Sequence, residues 1–270
     1  MISIPKTEMR NPLSKNMDKM STEEMTRLVV TANYDAVKAV ENAVEQIARA
    51  VDAVAAAFDS GSRLIYVGCG TSGRLGAIDA TECPPTFGVP CEQVSGIIAG
   101  GRERMFNASE NEEDNYEAGC RDIDLHGIRA GDVVVGISAA GNAAYVVGAL
   151  ETAKKAGCVT VGLSCNADTA VLRIADIAIM TDTGAEVLTG STRLKAGTAQ
   201  KIVLNAISTC AMVKTGKVYE NMMINLLPCN EKLEQRVIRI VTEILGCEKE
   251  EAIRRLKENE WNIRAAVTAE

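Results

Sequence analysis

Three short stretches of the chain combine glycines with small hydroxyl side chains, the composition that binds anions: Gly68 to Gly73, Gly136 to Asn142 and Gly184 to Thr198. In the first, Gly70, Thr71, Ser72 and Gly73 lie between an apolar run, Leu64 to Val67, and an amphipathic segment. That is the pattern of a strand, a tight turn and a helix start. Such a junction attracts anions, because the N–H groups of a helix's first turn have no partner within the helix and its dipole is positive there. The second stretch offers Ser138, Gly141 and Asn142. The third places Glu186, Thr189, Ser191, Thr192 and Thr198 around Arg193 and Lys195 and runs straight into a helical pattern. One such loop also fits an ordinary strand-to-helix connection, whereas three at equivalent strand ends point to a phosphate-bearing ligand.

Two familiar nucleotide motifs compete for the first loop. A Walker loop needs Gly-Lys-Ser/Thr after its second glycine, and here Gly73 is followed by Arg74 and Leu75. Gly68, Gly70 and Gly73 do satisfy the dinucleotide spacing, but the acidic residue that should close a second strand would have to be Glu92, in a segment opened by Pro84 and Pro85.

Composition narrows the chemistry. The chain has 270 residues, 47% hydrophobic and 24% charged, enough for an α/β domain with helical additions. Its net charge of -7, with no cluster of Lys and Arg in the sequence, argues against nucleic acid as a partner, so an anionic ligand has to be caught locally. Nine scattered cysteines without a CxxC pair fit reduced thiols better than disulfides or a zinc site. The single histidine, His126, falls in a polar loop, Asp124 to Gly131, which leaves little for a Ser-His-Asp triad or a histidine metal site, and no metal is expected. No apolar run reaches membrane-spanning length and Met1 to Lys15 lacks a signal-peptide core, so neither a membrane nor export is expected and a cytoplasmic location is.

These loops need a scaffold. Residues 1–20 read as an extended arm, and Ser21 to Glu24 is a capping box that opens a helical stretch reaching about Phe58, with a break expected at Asn33 and Tyr34. From Leu64 the chain alternates. Strands are expected at 64–67, 93–98, 133–137, 159–163 and 177–180, and helices near 110–118, 143–156, 170–175 and 196–215. Valine- and isoleucine-rich strands alternating with helices imply a parallel sheet covered on both faces, which binds ligands at the carboxyl ends of its strands. From Glu231 the chain is charged and helical, with breaks at Gly246 and Asn259 and Trp261 as an anchor of a small core. The expected division is 1–58 for the N-terminal arm and helices, 59–225 for the α/β domain and 226–270 for a compact C-terminal unit of three helices, resembling the ubiquitin-associated type.

The motifs Gly68-Cys-Gly-Thr-Ser-Gly-Arg-Leu75, Asp79-Ala-Thr-Glu-Cys-Pro-Pro-Thr-Phe-Gly88, Ile98-Ala-Gly-Gly101 and Thr189-Gly-Ser-Thr-Arg-Leu-Lys-Ala-Gly-Thr-Ala-Gln-Lys201 together resemble the N-acetylmuramic acid 6-phosphate etherases. Arg10-Asn-Pro12, Asp18-Lys-Met-Ser-Thr22, Gly162-Leu-Ser-Cys-Asn166 and the C-terminal unit extend the likeness over nearly the whole chain. The resemblance implies a sugar isomerase (SIS) fold, no cofactor, and cleavage of the D-lactyl ether of a 6-phosphorylated amino sugar. It also implies a homodimer with sites where two chains meet, for which the long apolar-faced N-terminal helix is a suitable surface. The family's two catalytic carboxylates fall on Glu82 and Glu113; carboxylates suit a reaction in which a base takes the C2 proton of an open-chain aldose and an acid protonates the departing lactate oxygen. One departure stands out. Family members usually carry Ser-Gly-Arg-Thr-Pro where this chain has Ala140-Gly-Asn-Ala-Ala144, leaving Ser138 and Asn142 as substitutes for the missing hydrogen bonds.

Overall fold

The computed structural model describes residues 4–107, 111–226, 228 and 231–268. Strands β1 (Leu64–Gly68), β2 (Val94–Ile98), β3 (Val133–Ile137), β4 (Val159–Ser164) and β5 (Ile177–Met180) form one sheet in the order β2-β1-β3-β4-β5, every pair parallel. Their runs of valine and isoleucine are covered on both sides, as a parallel sheet requires. In β1 the alternation is complete: Leu64 and Tyr66 enter one core, Ile65 and Val67 the other.

Helices α1 (Thr22–Glu41), α2 (Val44–Asp59), α3 (Gly70–Phe87) and α7 (Lys195–Lys214) close the first core, with Val40, Val54, Phe87 and Ile207 packed against the strands. Helices α4 (Tyr116–Leu125), α5 (Ala144–Lys155) and α6 (Ala170–Ile174) close the second, through Ile123, Leu150 and Val171. The chain leaves β1 for β2 on one side and returns to β3 on the other. The strand order therefore reverses between β1 and β3, and the loops after those two strands diverge to open a crevice.

Beyond the sheet, α8 (Glu231–Leu245), α9 (Lys249–Glu258) and α10 (Ile263–Thr268) enclose a separate core of Val237, Val241, Leu256 and Ile263, against which Trp261 packs; Ile224 and Leu226 already belong to it. This segment meets the α/β body where Asn225 Nδ2 donates to Phe87 O at 2.6 Å and where Arg264 donates to Gly216 O. Gly88 makes the approach possible. It ends α3 with φ +60°, and a Cβ there would lie 1.8 Å from Asn225 O. No described helix is long and apolar enough to cross a membrane.

The sequence misplaced three local features, and the structure supports its case against a dinucleotide. The N-terminal helices divide at Asn42 and Ala43, not at Asn33 and Tyr34; Asn33 stays within α1, its side-chain amide donating to Val29 O at 2.9 Å, one turn back. Helix α4 starts at Tyr116, later than expected, because Asn115 caps it by accepting from Ala118 N–H at 3.0 Å; Glu110, in the expected span, lies outside the described residues. Pro84 and Pro85 do not open a new segment but lie inside the last part of α3. Glu92 precedes β2 and so lies at the opposite end of the sheet from the glycine loop, out of reach of any ligand there, which removes the dinucleotide reading.

Candidate functional site

The crevice is built first by the β1–α3 turn. It is tight because Gly68 and Gly73 pass against each other: a Cβ on Gly73 would lie 2.4 Å from Gly68 O. Gly73 N–H makes the first intrahelical bond, to Cys69 O at 3.2 Å, and Cys69 supplies no side-chain cap, so the N–H groups of Gly70, Thr71 and Ser72 come before the helical ladder begins. The Cys69 thiol beside them is pushed up to about 12 by burial and then by the carboxylates of Glu113, Glu112 and Asp114. It stays protonated at neutral pH and is no nucleophile.

The other two hydroxyl stretches come to the same place. Ser72 Oγ donates to Gln200 Oε1 at 3.0 Å, which ties the first turn of α3 to the second turn of α7. Gly197 passes close to Thr71, whose Cγ2 is 3.6 Å from where a Cβ on Gly197 would stand. Ala139, after β3, packs with Cys165, after β4, and with Ala196, at the start of α7. Ser138 Oγ accepts from Gly141 N–H at 3.0 Å and shapes the turn after β3.

Inside this cluster the candidate residues take different parts. Glu186 is fully buried and its two carboxylate oxygens accept from Lys195 N–H at 3.0 Å and Ala196 N–H at 2.9 Å. The positive end of α7 is thus already occupied by an anion of the chain itself, whereas the start of α3 carries no side-chain cap. Ser191 and Thr192 are half-buried in the turn before α7, where Thr192 O accepts from Gly197 N–H at 2.9 Å. The buried ammonium of Lys195 contacts Asp35 Oδ2 at 3.0 Å. Asn142 is exposed and turned aside, accepting from Ala170 N–H at 3.0 Å at the start of α6.

The two glutamates are not brought together within one chain. Glu113 follows the β2 end of the sheet; its backbone carbonyl accepts from Tyr145 N–H at 3.0 Å and its carboxylate bears on Cys69, beside the open helix start. Glu82 is exposed on α3, about 18 Å along the axis beyond Gly70. No group of three or more His, Cys, Asp or Glu able to hold a metal occurs among the described residues, and His126 is exposed at the end of α4.

Sequence reasoning missed the residues that reach the cluster from elsewhere. Asn33 accepts from Thr198 Oγ1 at 2.7 Å and Asp35 holds Lys195, both from α1; the polar interruption in the apolar pattern of α1 was their signal, taken for a helix break. The N-terminal arm lies over the end of β4, where buried Thr7 accepts from Asn166 Nδ2 at 3.0 Å. Asn11 Nδ2 donates to Ala185 O at 3.0 Å, which fastens the loop that carries Glu186.

Comparison with known proteins places this geometry. Residues 46–154 match the glucokinase regulatory protein N-terminal SIS domain and residues 115–209 the SIS domain. The chain is 48% identical to the N-acetylmuramic acid 6-phosphate etherase of Pasteurella multocida, over 97% of its own length and 87% of that protein. It is 46% identical to the enzyme of that name from Clostridium botulinum, over 97% of its length and 86% of that relative. An Escherichia coli protein solved in complex with A5P shares the fold, with a TM-score of 0.54 at 16% identity, over 75% of this chain and 97% of that one.

Proposed function

The chain belongs to the N-acetylmuramic acid 6-phosphate etherases, and from that premise we propose how its residues divide the work of cleaving the lactyl ether of N-acetylmuramic acid 6-phosphate to N-acetylglucosamine 6-phosphate and D-lactate. The enzyme is a carbon–oxygen lyase. The observation that carries the activity is the identity to etherases along almost the full length of both chains.

The sugar phosphate is held at the start of α3, by the N–H groups of Gly70, Thr71 and Ser72 with the hydroxyls of Thr71 and Ser72. Ser138, Ser191, Thr192 and Lys195 line the same crevice, with Gly73, Gly141 and Asn142 shaping its turns. Glu186 acts from behind by holding the first turn of α7. With the sugar ring open, the C1 aldehyde acidifies the C2 proton. Glu113 takes that proton, Glu82 protonates the ether oxygen as the C3–O bond breaks, and lactate departs, leaving a C2–C3 double bond conjugated to the aldehyde. Water then adds at C3 and a proton returns to C2, so the net reaction consumes one water and no redox equivalent.

For both carboxylates to reach one substrate, Glu82 has to come from a second copy, because about three turns of α3 separate it from the open helix start in its own chain. The outer face of α1 suits such a partner: Val30, Tyr34 and Val37 form an apolar stripe, 61%, 73% and 53% exposed. A homodimer with shared sites follows.

The direct test is incubation of the purified protein with N-acetylmuramic acid 6-phosphate and enzymatic assay of D-lactate. Stoichiometric lactate with N-acetylglucosamine 6-phosphate is the expected result; binding without lactate would make the chain a sugar-phosphate sensor instead.

A further inference from the structure

The C-terminal helices carry a groove of about 540 Å³ that the reaction does not use. Lys232, Arg236 and Arg239 project from one face of α8, and Lys249 closes the groove from the first turn of α9, while Ile238 and Thr242 lie between them. No acidic residue lines it. Among the described residues none of the four cations is in an ion pair, although Arg254 and Arg255 of the same unit are both paired with Glu251. In a chain of net charge -7, these four cations gather around one groove that no carboxylate lines, although Glu248, Glu250 and Glu251 stand at the start of α9.

Two further features point the same way. Helix α9 starts at Lys249 without a side-chain cap, which leaves its first N–H groups beside the groove, with Glu248, Glu250 and Glu251 at the same end. Thr242 Oγ1 is buried and lacks any hydrogen-bond partner, an orphan hydroxyl among the lining residues. Cations, an uncapped helix start and an unpaired hydroxyl share one complement, a compact multiply charged oxyanion.

We propose that this groove binds a small phosphorylated anion, of phosphomonoester or diphosphate chemistry, as a site separate from the catalytic crevice. Paired arginines favour phosphate because each guanidinium presents a planar fork of donors to two oxygens. The volume suits a small metabolite. A nucleic acid would need a longer basic track than one short groove on an acidic protein, and a bilayer would need exposed apolar side chains where Ile238 is buried.

The test is calorimetric titration of the full chain with pyrophosphate, inorganic phosphate and glucosamine 6-phosphate, comparing the parent, Arg236→Ala with Arg239→Ala, and Thr71→Ala with Ser72→Ala. The groove variant should lose one class of pyrophosphate sites or bind it at least about tenfold more weakly, the crevice variant should keep that class, and the parent's affinity should fall as salt rises. The three ligands separate free phosphate, diphosphate and sugar phosphate as sources. Circular dichroism and Trp261 emission check that the unit is folded, and the single exposed change Arg239→Glu repeats the comparison if the double variant is not. Unchanged pyrophosphate binding in the groove variants overturns the proposal, as does loss of all binding in the crevice variant. Binding of a poly-glutamate peptide with no response to any phosphate overturns it in favour of an acidic protein segment. None of these readouts involves lactate release, so groove and etherase activity succeed or fail independently.

Discussion

The Asp35 carboxylate of α1 and the Lys195 ammonium at the start of α7 are 3.0 Å apart, with the lysine side chain 3% and the aspartate side chain 64% exposed. The cation is sealed in the protein while its counter-charge faces solvent, so removing the acid leaves the lysine's charge without that partner. Asp35→Asn should lower KM for the phosphorylated substrate with kcat nearly unchanged, since phosphate is bound alike in ground and transition states. Lys195→Met should raise KM at least about tenfold. Steady-state lactate release checks both. A raised KM in Asp35→Asn would mean that the carboxylate aims the lysine and that its charge matters less.

The proposal of sites shared between two chains makes a prediction that no single-chain site can meet. Glu82→Gln and Glu113→Gln should each lower lactate release at least about a hundredfold, within the range of general acid or base groups. Unfolding and refolding the two inactive variants together should restore about a quarter of the parent's activity, because half of the dimers are then mixed and each mixed dimer has one intact site of two. No recovery, with mixed dimers present by mass, would place both glutamates in one chain.

The altered loop after β3 lends itself to repair. Ala140→Ser with Asn142→Arg returns a hydroxyl and a guanidinium to the crevice, at the cost of the bond by which Asn142 accepts from Ala170 N–H. The substrate's KM should fall, and competition by inorganic phosphate should strengthen, with little change in kcat. If neither moves, the turn at Gly141 does not line the phosphate site.

Acid stability should depend on Asp132, fully buried where β1 and β3 begin. Burial alone would push its carboxyl up, but Arg63, with Nη2 at 2.6 Å, and the N–H groups of Arg129 and Arg63 outweigh it and hold the carboxyl below the usual range. A carboxyl depressed in the folded state stabilises it above the unfolded value of about 3.9 and loses that contribution as pH falls through the folded value. Stability should therefore drop below about pH 4. Asp132→Asn should be less stable at pH 7 by on the order of 2 kcal/mol and show a shallower acid limb in urea unfolding. An unchanged acid limb would assign that loss to other carboxylates.

The strands and most helices were legible because each depends on local information. Short continuous runs of valine and isoleucine mark the strands, Ser21 with Glu24 marks the start of α1, and Gly246 and Asn259 mark the ends of α8 and α9. The three hydroxyl stretches were legible as a group, since a parallel sheet sends alternate loops to one end. What sequence could not supply was the direction of individual side chains. Asn33 and Tyr34 read as a break in an amphipathic helix until α7 is packed against α1; Glu186 reads as one more residue of a hydroxyl-rich loop until the amides of Lys195 and Ala196 close on it; how far Glu82 lies from the start of α3 is set only by the helix itself. The pattern of apolar residues fixes which face of an element is buried, because burial is proportional to area and indifferent to partner. Which polar group meets which is decided only when the elements dock, because a hydrogen bond depends on distance and angle between atoms far apart in the chain.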